Sequence, residues 1–360
     1  MMKRFGWSPQ RAIPLVGLAI CFFIFNQCSS QAPSKGHHIN EIQVMTFNVE
    51  NLFDTIDDPR KNDETFLPMA TKRKLPLNKI CAKIPVKKWR VQCQRWDWNQ
   101  DVLDKKMENI SQVILSVNDG KGPDILILQE VENKEVLDVL NQKYLQPAGY
   151  QKPILLEGMD ARGIDVAVLS RFPAVQPAKL EYVPFSKGTS KARMRDTRGI
   201  LKVKLKVDED DSITVLANHF PAPFHPRQMR IDSFKKLNRI ASKESGLVVA
   251  GGDFNLPSEE DGKFKLLNTF VAPQWTIAHR QGCKDCKGTN YYKGKDSWSF
   301  LDMILVKRGE PMGWALQSDK TQVIQHPIHI EDGHPKRFDP IHRDGVSDHW
   351  PLLIVLRKNG

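Results

Sequence analysis

Two short polar clusters, each attached to an apolar strand, carry the densest chemistry in this sequence. They are Gly252-Asp253-Phe254-Asn255 after Leu247-Val248-Val249-Ala250, and Ser347-Asp348-His349 before Pro351-Leu352-Leu353-Ile354-Val355. Asn48, Glu50, Glu130, His219 and Asp302 likewise end or interrupt apolar runs. A charge in a strand-rich apolar setting is costly unless paired or bound to metal, so several of them at comparable strand ends point to one shared rim. Carboxylates and amide oxygens are hard donors suited to Mg²⁺ or Mn²⁺, with Ca²⁺ a further candidate, and the shortage of candidate thiolates disfavours a soft metal. Two histidines among carboxylates add an acid/base pair. Taken singly, an Asp at a strand end is commonly a turn former and a lone His commonly a hydrogen-bonded core residue. The joint pattern carries the inference.

The elements that must position these residues follow from apolar periodicity. Strands are expected at residues 42–47, 125–128, 166–169, 247–250, 299–306 and 351–356, the second nearly continuous in apolar character, as for a strand buried on both faces. Residues 199–207 and 212–217 read as a hairpin around the acidic turn 208–211. Helical spacing covers residues 101–117, 134–145 and 226–245, the last opened by Pro226 and followed by Gly246. No repeat or low-complexity linker divides the body, so one α/β domain is expected over residues 41–360, with two packed sheets flanked by helices.

The chain has 360 residues, 40% of them apolar, enough for a full core. Its start differs from the rest: Lys3, Arg4 and Arg11 precede an apolar run at residues 12–25, too short for a comfortable membrane span and laid out as a signal peptide over residues 1–28. Cys28 and the tether-like residues 29–40 suit a lipidated bacterial lipoprotein, although Gln27 stands where a small residue is usual; ordinary cleavage nearby and a retained anchor are the alternatives. All three place the body outside the cytoplasm, as a secreted, periplasmic or membrane-anchored protein.

The formal charge is +11, or 11 − 3 = +8 without Lys3, Arg4 and Arg11, which favours polyanions or acidic headgroups. The excess concentrates in a basic insert at about residues 70–98: Lys72, Arg73, Lys74, Lys79, Lys83, Lys87, Lys88, Arg90 and Arg95 occur without an acidic neighbour, near Trp89, Trp96 and Trp98. Cations with aromatic rings suit phosphate contacts and base stacking; the alternative is a solvated loop that only carries charge. Cys81, Cys93, Cys283 and Cys286 are an even set, expected to form the disulfides Cys81–Cys93 and Cys283–Cys286 rather than half a zinc knuckle or a redox pair.

Together, Thr46-Phe47-Asn48-Val49-Glu50, Leu128-Gln129-Glu130-Val131, Asn218-His219, Gly252-Asp253-Phe254-Asn255, Leu301-Asp302-Met303 and Ser347-Asp348-His349 resemble, in order, the motifs of the endonuclease/exonuclease/phosphatase superfamily. The resemblance covers nearly the whole chain after residue 40. It implies a four-layer α/β sandwich of the deoxyribonuclease I-like type, with the site at one edge of two mixed sheets. It further implies that Glu130 is the principal metal ligand, helped by Asn48 and Asp348, and that Glu50 falls where some members bind a second ion. Asp302 would orient His349, Asp253 would position or deprotonate the attacking water, and Asn255 with His219 would hold phosphate oxygens. Which of Asp253 and His349 is the base stays open.

Arg195 and Arg198, flanking Asp196, are candidates to clamp phosphate, against a surface ion pair. Arg162 and Asp165 resemble a structural segment of the family. Asn218-His219-Phe220-Pro221 with Arg230 resembles a secreted bacterial branch usually labelled as nucleases.

The expected function is divalent-metal-dependent phosphodiester hydrolysis by an extracytoplasmic nuclease acting on DNA or RNA. The alternatives are a phospholipase-C-like sphingomyelinase or a phosphomonoesterase on the same core, and a catalytically silent polyanion-binding module. A monomer is expected, with no protein partner implied beyond membrane attachment through Cys28.

Overall fold

The computed structural model describes residues 39–309 and 313–359; the expected signal segment and Cys28 lie outside the described residues. Strands run in chain order as β1 (Glu41–Leu52), β2 (Ile125–Val131), β3 (Ile154–Leu155), β4 (Asp165–Ser170), β5 (Lys179–Glu181), β6 (Ile200–Lys206), β7 (Ser212–His219) and β8 (Leu247–Asp253). They continue as β9 (Trp275–Ile277), β10 (Asn290–Tyr292), β11 (Ser297–Ser299), β12 (Asp302–Lys307), β13 (Trp314–Val323), β14 (Ile330–Glu331), β15 (His334–Pro335) and β16 (Leu352–Lys358). One six-stranded sheet has the order β13-β16-β1-β2-β4-β3, and a second has the order β5-β6-β7-β8-β12-β9.

Strand β1 shows why the sheets stack. Successive side chains point to opposite faces, so Met45, Phe47 and Val49 meet Val102, Met107 and Ile110 of a helix at Gln100–Leu115, while Ile42 and Val44 meet Val203, Val215 and Val249 of the other sheet. A third apolar layer joins Leu216, Val248, Ala250, Met303 and Leu305 to Phe234, Leu237 and Ile240 of a helix at Arg227–Ala241. The result is helix, sheet, sheet, helix, and burial on both faces accounts for the unbroken apolar runs. The Gln100–Leu115 helix starts where the Asn99 side chain accepts a hydrogen bond from the Val102 N–H. Among the described residues no helix is long and apolar enough to cross a membrane.

Three expectations need correction. Residues 299–306 are not one strand: the chain leaves β11, Leu301 O accepts from the Phe254 N–H at 2.8 Å, and β12 begins only at Asp302. The ten-residue β13 was missed because it is an edge strand paired only to β16, and its polar sequence lacks the apolar run that marks a buried strand.

The basic insert is not a loop. It folds into α1 (Met69–Lys72), α2 (Leu77–Cys81) and α3 (Lys87–Arg95), closed by the Cys81–Cys93 disulfide. Lys72 is buried, its ammonium donating to the carbonyls of Thr65, Cys93 and Trp96 at 2.9, 3.0 and 2.7 Å. Trp98 is buried edge-on against Phe66 and Phe338, and its Nε1–H donates to Phe53 O at 3.1 Å. Neither can contact a ligand. Arg73, Lys74, Lys79, Lys83, Lys87, Lys88, Trp89 and Arg95 are exposed.

The second pair, Cys283–Cys286, is also bonded. It follows His279, which is buried and stacked on Phe300 at 4.1 Å between ring centroids. Burial pushes the pKa of His279 down to about 3 from 6.5. The unfolded chain therefore takes up a proton that the folded chain refuses, and stability falls as pH drops below the unfolded value. His279→Phe keeps the stack without a titrating ring. It is expected to narrow the stability loss between about pH 8 and about pH 5 by about 2 kcal/mol, measured by urea denaturation. Equal losses in the two proteins would show that His279 does not contribute.

Candidate active site

Strand direction gathers the polar residues. β1 runs parallel to β2, and β7 parallel to β8, while β16 is antiparallel to β1 and β12 antiparallel to β8. The ends of β1, β2, β7 and β8 and the starts of β12 and β16 therefore share one edge. His219 pairs with Asp253, and Asp253 with Asp302. Asn48 joins the two sheets: its Nδ2 donates to Asp253 Oδ2 at 3.1 Å and to Glu130 Oε1 at 3.4 Å.

Backbone conformation at this edge is unusual. Glu50, Asn51, Glu130 and Asn255 have φ of 50°, 62°, 64° and 49°, a region that side chains other than Gly enter at a cost. The β1–β2 register shifts between Asn48 and Leu52, a bulge that re-aims side chains toward the rim. Gly252 has φ +147°, and a Cβ there would lie 1.9 Å from Asn218 O, so glycine is required where β8 passes β7.

Asp302 is fully buried, and its Oδ2 accepts from His349 Nδ1–H at 2.7 Å. Burial disfavours charge on His349, but Asp302 and Asp348 outweigh it and hold its pKa well above the ordinary value. Burial, reinforced by Arg198, Arg162 and His349, keeps His219 well below its ordinary value. One histidine is thus cationic and the other neutral near pH 7. His219 Nε2 lies 3.6 Å from Asp253 Oδ2 and 4.0 Å from Glu130 Oε1. Asp253, pushed up to about 7 by burial, accepts from the Asn255 N–H at 2.7 Å through Oδ1. Asn255 donates its amide to Phe220 O at 3.0 Å.

The opposite side of the rim is carboxylate-rich. Glu130 accepts from the Asn51 N–H at 3.1 Å, and Glu50 accepts from the Asp348 N–H at 3.0 Å. Ser347 fixes the last loop, its Oγ donating to Asn48 O at 2.6 Å. The donor atoms of Asp253, Asp302 and His349 lie within 4.8 Å of one another, but the His349 Nδ1–H is bonded to Asp302, so this trio reads as a proton-transfer unit. Glu130 and Asp348, with partly exposed side chains, are the better placed ion ligands. Hard oxygens from several carboxylates on one rim fit Mg²⁺ or Mn²⁺. Asn48 turns its nitrogen to Glu130 and its Oδ1 to the Glu50 N–H, 3.0 Å away. Coordination by its oxygen requires that amide to turn over.

Residues 43–84 and 88–358 match the Endonuclease/Exonuclease/phosphatase family. The chain belongs to this family. Two solved structures described as endonuclease/exonuclease/phosphatase are similar to it. That from Beutenbergia cavernae has a TM-score of 0.53 at 15% identity over 89% of this chain and 72% of that one. That from Bacteroides vulgatus also has a TM-score of 0.53 at 15% identity, over 89% of this chain and all of the other. A functionally unknown conserved protein from Enterococcus faecalis gives 0.55 at 16% identity over 88% of this chain and 100% of that one. These likenesses show the fold, a deoxyribonuclease I-like sandwich of two mixed six-stranded sheets with outer helices. No curated protein matches the chain. Membership in the endonuclease/exonuclease/phosphatase family implies metal-dependent phosphoesterase chemistry.

The rim brings together Asn48, Glu50, Glu130, His219, Asp253, Asn255, Asp302, Asp348 and His349. It does not bring in the expected arginine clamp. Arg198 is buried against Asp160, with Nη2 2.8 Å from Oδ2; Asp196 pairs with His225 at 3.0 Å; and Arg195, in the turn just before them, is exposed. Glu50 is held by Arg337, a residue that sequence reasoning missed, whose Nε donates to Oε1 at 2.6 Å. Lys106 was also missed. This buried cation faces Glu50, Asp348 and Glu130, and its ammonium donates to Val346 O. It follows Lys105 in a helix, and the sequence does not show which of the two lysines is buried.

Proposed function

We propose that this endonuclease/exonuclease/phosphatase family member hydrolyses phosphodiesters of DNA or RNA with a divalent ion, outside the cytoplasm. The observation that carries the reading is the Asp302–His349 pair at 2.7 Å, set beside Asp253, which Asn48 links to Glu130. In-line attack needs a proton acceptor for water, neutralisation of the phosphate oxygens and help for the departing alkoxide. Asp253 stands as the acceptor and is rigidly held by Asn48 and the Asn255 N–H. Cationic His349, oriented by Asp302, binds a phosphate oxygen or donates its Nε2 proton. Glu130 and Asp348, with Asn48 after its amide turns, would hold Mg²⁺ or Mn²⁺, which when bound neutralises charge on the phosphate.

The choice of nucleic acid rests on the insert. It packs beside the site: its Trp98 meets Phe338, next to Arg337, and Phe66, just before the insert, stacks on Phe53, just past the β1 rim residues. Its exposed lysines and half-exposed Trp89 suit a strand of phosphates and bases. The two bonded disulfides suit an oxidising compartment, and a monomer attached through a lipidated Cys28 remains part of the proposal.

The test is to incubate the protein with plasmid DNA, RNA, sphingomyelin and a generic phosphomonoester, with Mg²⁺ and with chelator. Metal-dependent cleavage of nucleic acid is expected. Lipid cleavage alone would assign the insert to a membrane, and salt-sensitive DNA binding without turnover would make the chain a binding module. Replacing Lys83, Lys87 and Lys88 together by Ala is expected to weaken nucleic-acid binding roughly tenfold and to flatten its salt dependence. An unchanged salt dependence would take the insert out of the substrate path.

A further inference from the structure

Residues 220–226 leave the rim directly after His219 and carry an aromatic ring that the core does not use. Phe224 is 70% exposed, in a turn closed by the His225 N–H donating to Ala222 O at 2.9 Å. Pro223 takes the second position of that turn, where its fixed φ is favoured, and Pro221 and Pro226 flank it. Phe220 roots the loop at the rim: its ring packs edge-on against Phe234 and Phe254, and its N–H donates to Asp253 O at 2.8 Å. The buried Arg230 holds the loop from below, its Nη1 donating to Pro221 O and Ala222 O at 3.2 and 3.0 Å while Glu260 pairs with the same guanidinium. A buried arginine bonded to the carbonyls of an exposed turn keeps Phe224 in one place, at most about 14 Å of chain from Phe220.

Cations gather beside this ring. Residues 186–195 contain Lys187, Lys191, Arg193 and Arg195, all exposed, and no acidic residue. The segment is tied down near both ends. The Ser186 N–H donates to Asp232 Oδ2 at 2.8 Å on the helix that follows the loop, and Arg193 Nη1 lies 3.3 Å from His225 Nδ1. The Phe224 ring leans on the buried His225 ring, 4.2 Å between centroids, so it is backed on one side and open on the other. A single exposed ring is ordinary on a protein surface. One that is fixed in place, backed by a second ring and neighboured by a guanidinium matches what a base and its phosphate require. Bases inside a duplex are stacked on their neighbours, so the ring is open only to an unpaired strand.

We propose that Phe224 with Arg193 forms a subsite that stacks one base and holds the adjoining phosphate of a single-stranded nucleic acid whose scissile bond lies at the rim. The proposal rests on the nuclease reading above and narrows it to unpaired DNA or RNA.

The test is the anisotropy of a fluorescein-labelled oligonucleotide, as a single strand and as a duplex, titrated in chelator so that binding is read without turnover. The wild-type protein is expected to hold the single strand about tenfold more tightly than the duplex. Phe224→Ala is expected to lose about tenfold in affinity for the single strand, with an unchanged salt dependence, because stacking releases no counterions. Phe224→Trp is expected to keep the wild-type affinity. Arg193→Gln, which keeps a donor for His225, is expected to flatten the slope of log Kd against log salt by about 0.7, one phosphate contact on a single strand. Circular dichroism checks that each variant is folded. A wild type that binds the single strand no better than the duplex, or a single-strand affinity unchanged in Phe224→Ala, would overturn the proposal. Single strands bound through Phe224 but cleaved by no metal-loaded protein would leave the subsite standing and overturn the nuclease reading beneath it.

Discussion

His349→Ala is expected to lower kcat/KM for phosphodiester hydrolysis about a thousandfold, equivalent to about 4 kcal/mol of transition-state stabilisation. The size follows from the role: a buried, cationic donor aimed at the reacting phosphate loses far more on deletion than a solvated one. The loss should fall on kcat rather than KM, because charge on the phosphate builds only in the transition state. Asp302→Asn separates orientation from charge. It leaves a hydrogen-bond partner on Nδ1 but removes the carboxylate that raises the His349 pKa. His349 would then lose its proton at lower pH, so the alkaline limb of the pH–rate profile should move to lower pH, with a smaller loss at the optimum. An unmoved alkaline limb would mean that protonated His349 is not the active form.

The second large effect is at Glu130. Glu130→Gln keeps the shape and an acceptor for the Asn51 N–H but removes the charge that a hard cation needs. Activity at low millimolar Mg²⁺ is expected to fall by about a hundredfold or more, with partial recovery at higher Mg²⁺. A physical readout accompanies it. An ion that binds only the folded chain adds about 2.7 kcal/mol at a hundred times its Kd, so Mg²⁺ should raise the wild-type Tm and leave Glu130→Gln almost unmoved. Equal Tm gains in both proteins would place the ion elsewhere on the rim.

The apolar runs of β2, β8 and β16 were legible because those strands are buried on both faces, and the polar residues ending them stood out against that background. Their repeated place at strand ends pointed to one rim, and the resemblance supplied the roles, but spacing along the chain does not show that β1, β2, β7 and β8 end on one edge. The left-handed conformations at Glu50 and Glu130 had no signal in residue type, whereas Asn255 is of a type that tolerates one. Nor did Arg337, which lies in the polar stretch His334-Pro335-Lys336-Arg337-Phe338 and reaches Glu50 only through a long-range turn. The insert misled for a related reason. Composition counts Lys72 and Trp98 as available charge and aromatic surface, whereas three carbonyls hold the Lys72 ammonium and the rings of Phe66 and Phe338 cover Trp98.

The central claim is metal-dependent phosphoester hydrolysis at the Glu130–His349 rim, whatever the natural substrate. Its most direct test is the rate of bis(p-nitrophenyl) phosphate hydrolysis by the wild type in Mg²⁺ or Mn²⁺, with and without chelator, beside His349→Ala. The expected result is turnover that chelator abolishes, that re-added metal restores and that the variant lacks. Turnover indifferent to chelator, or undiminished in His349→Ala, would contradict it.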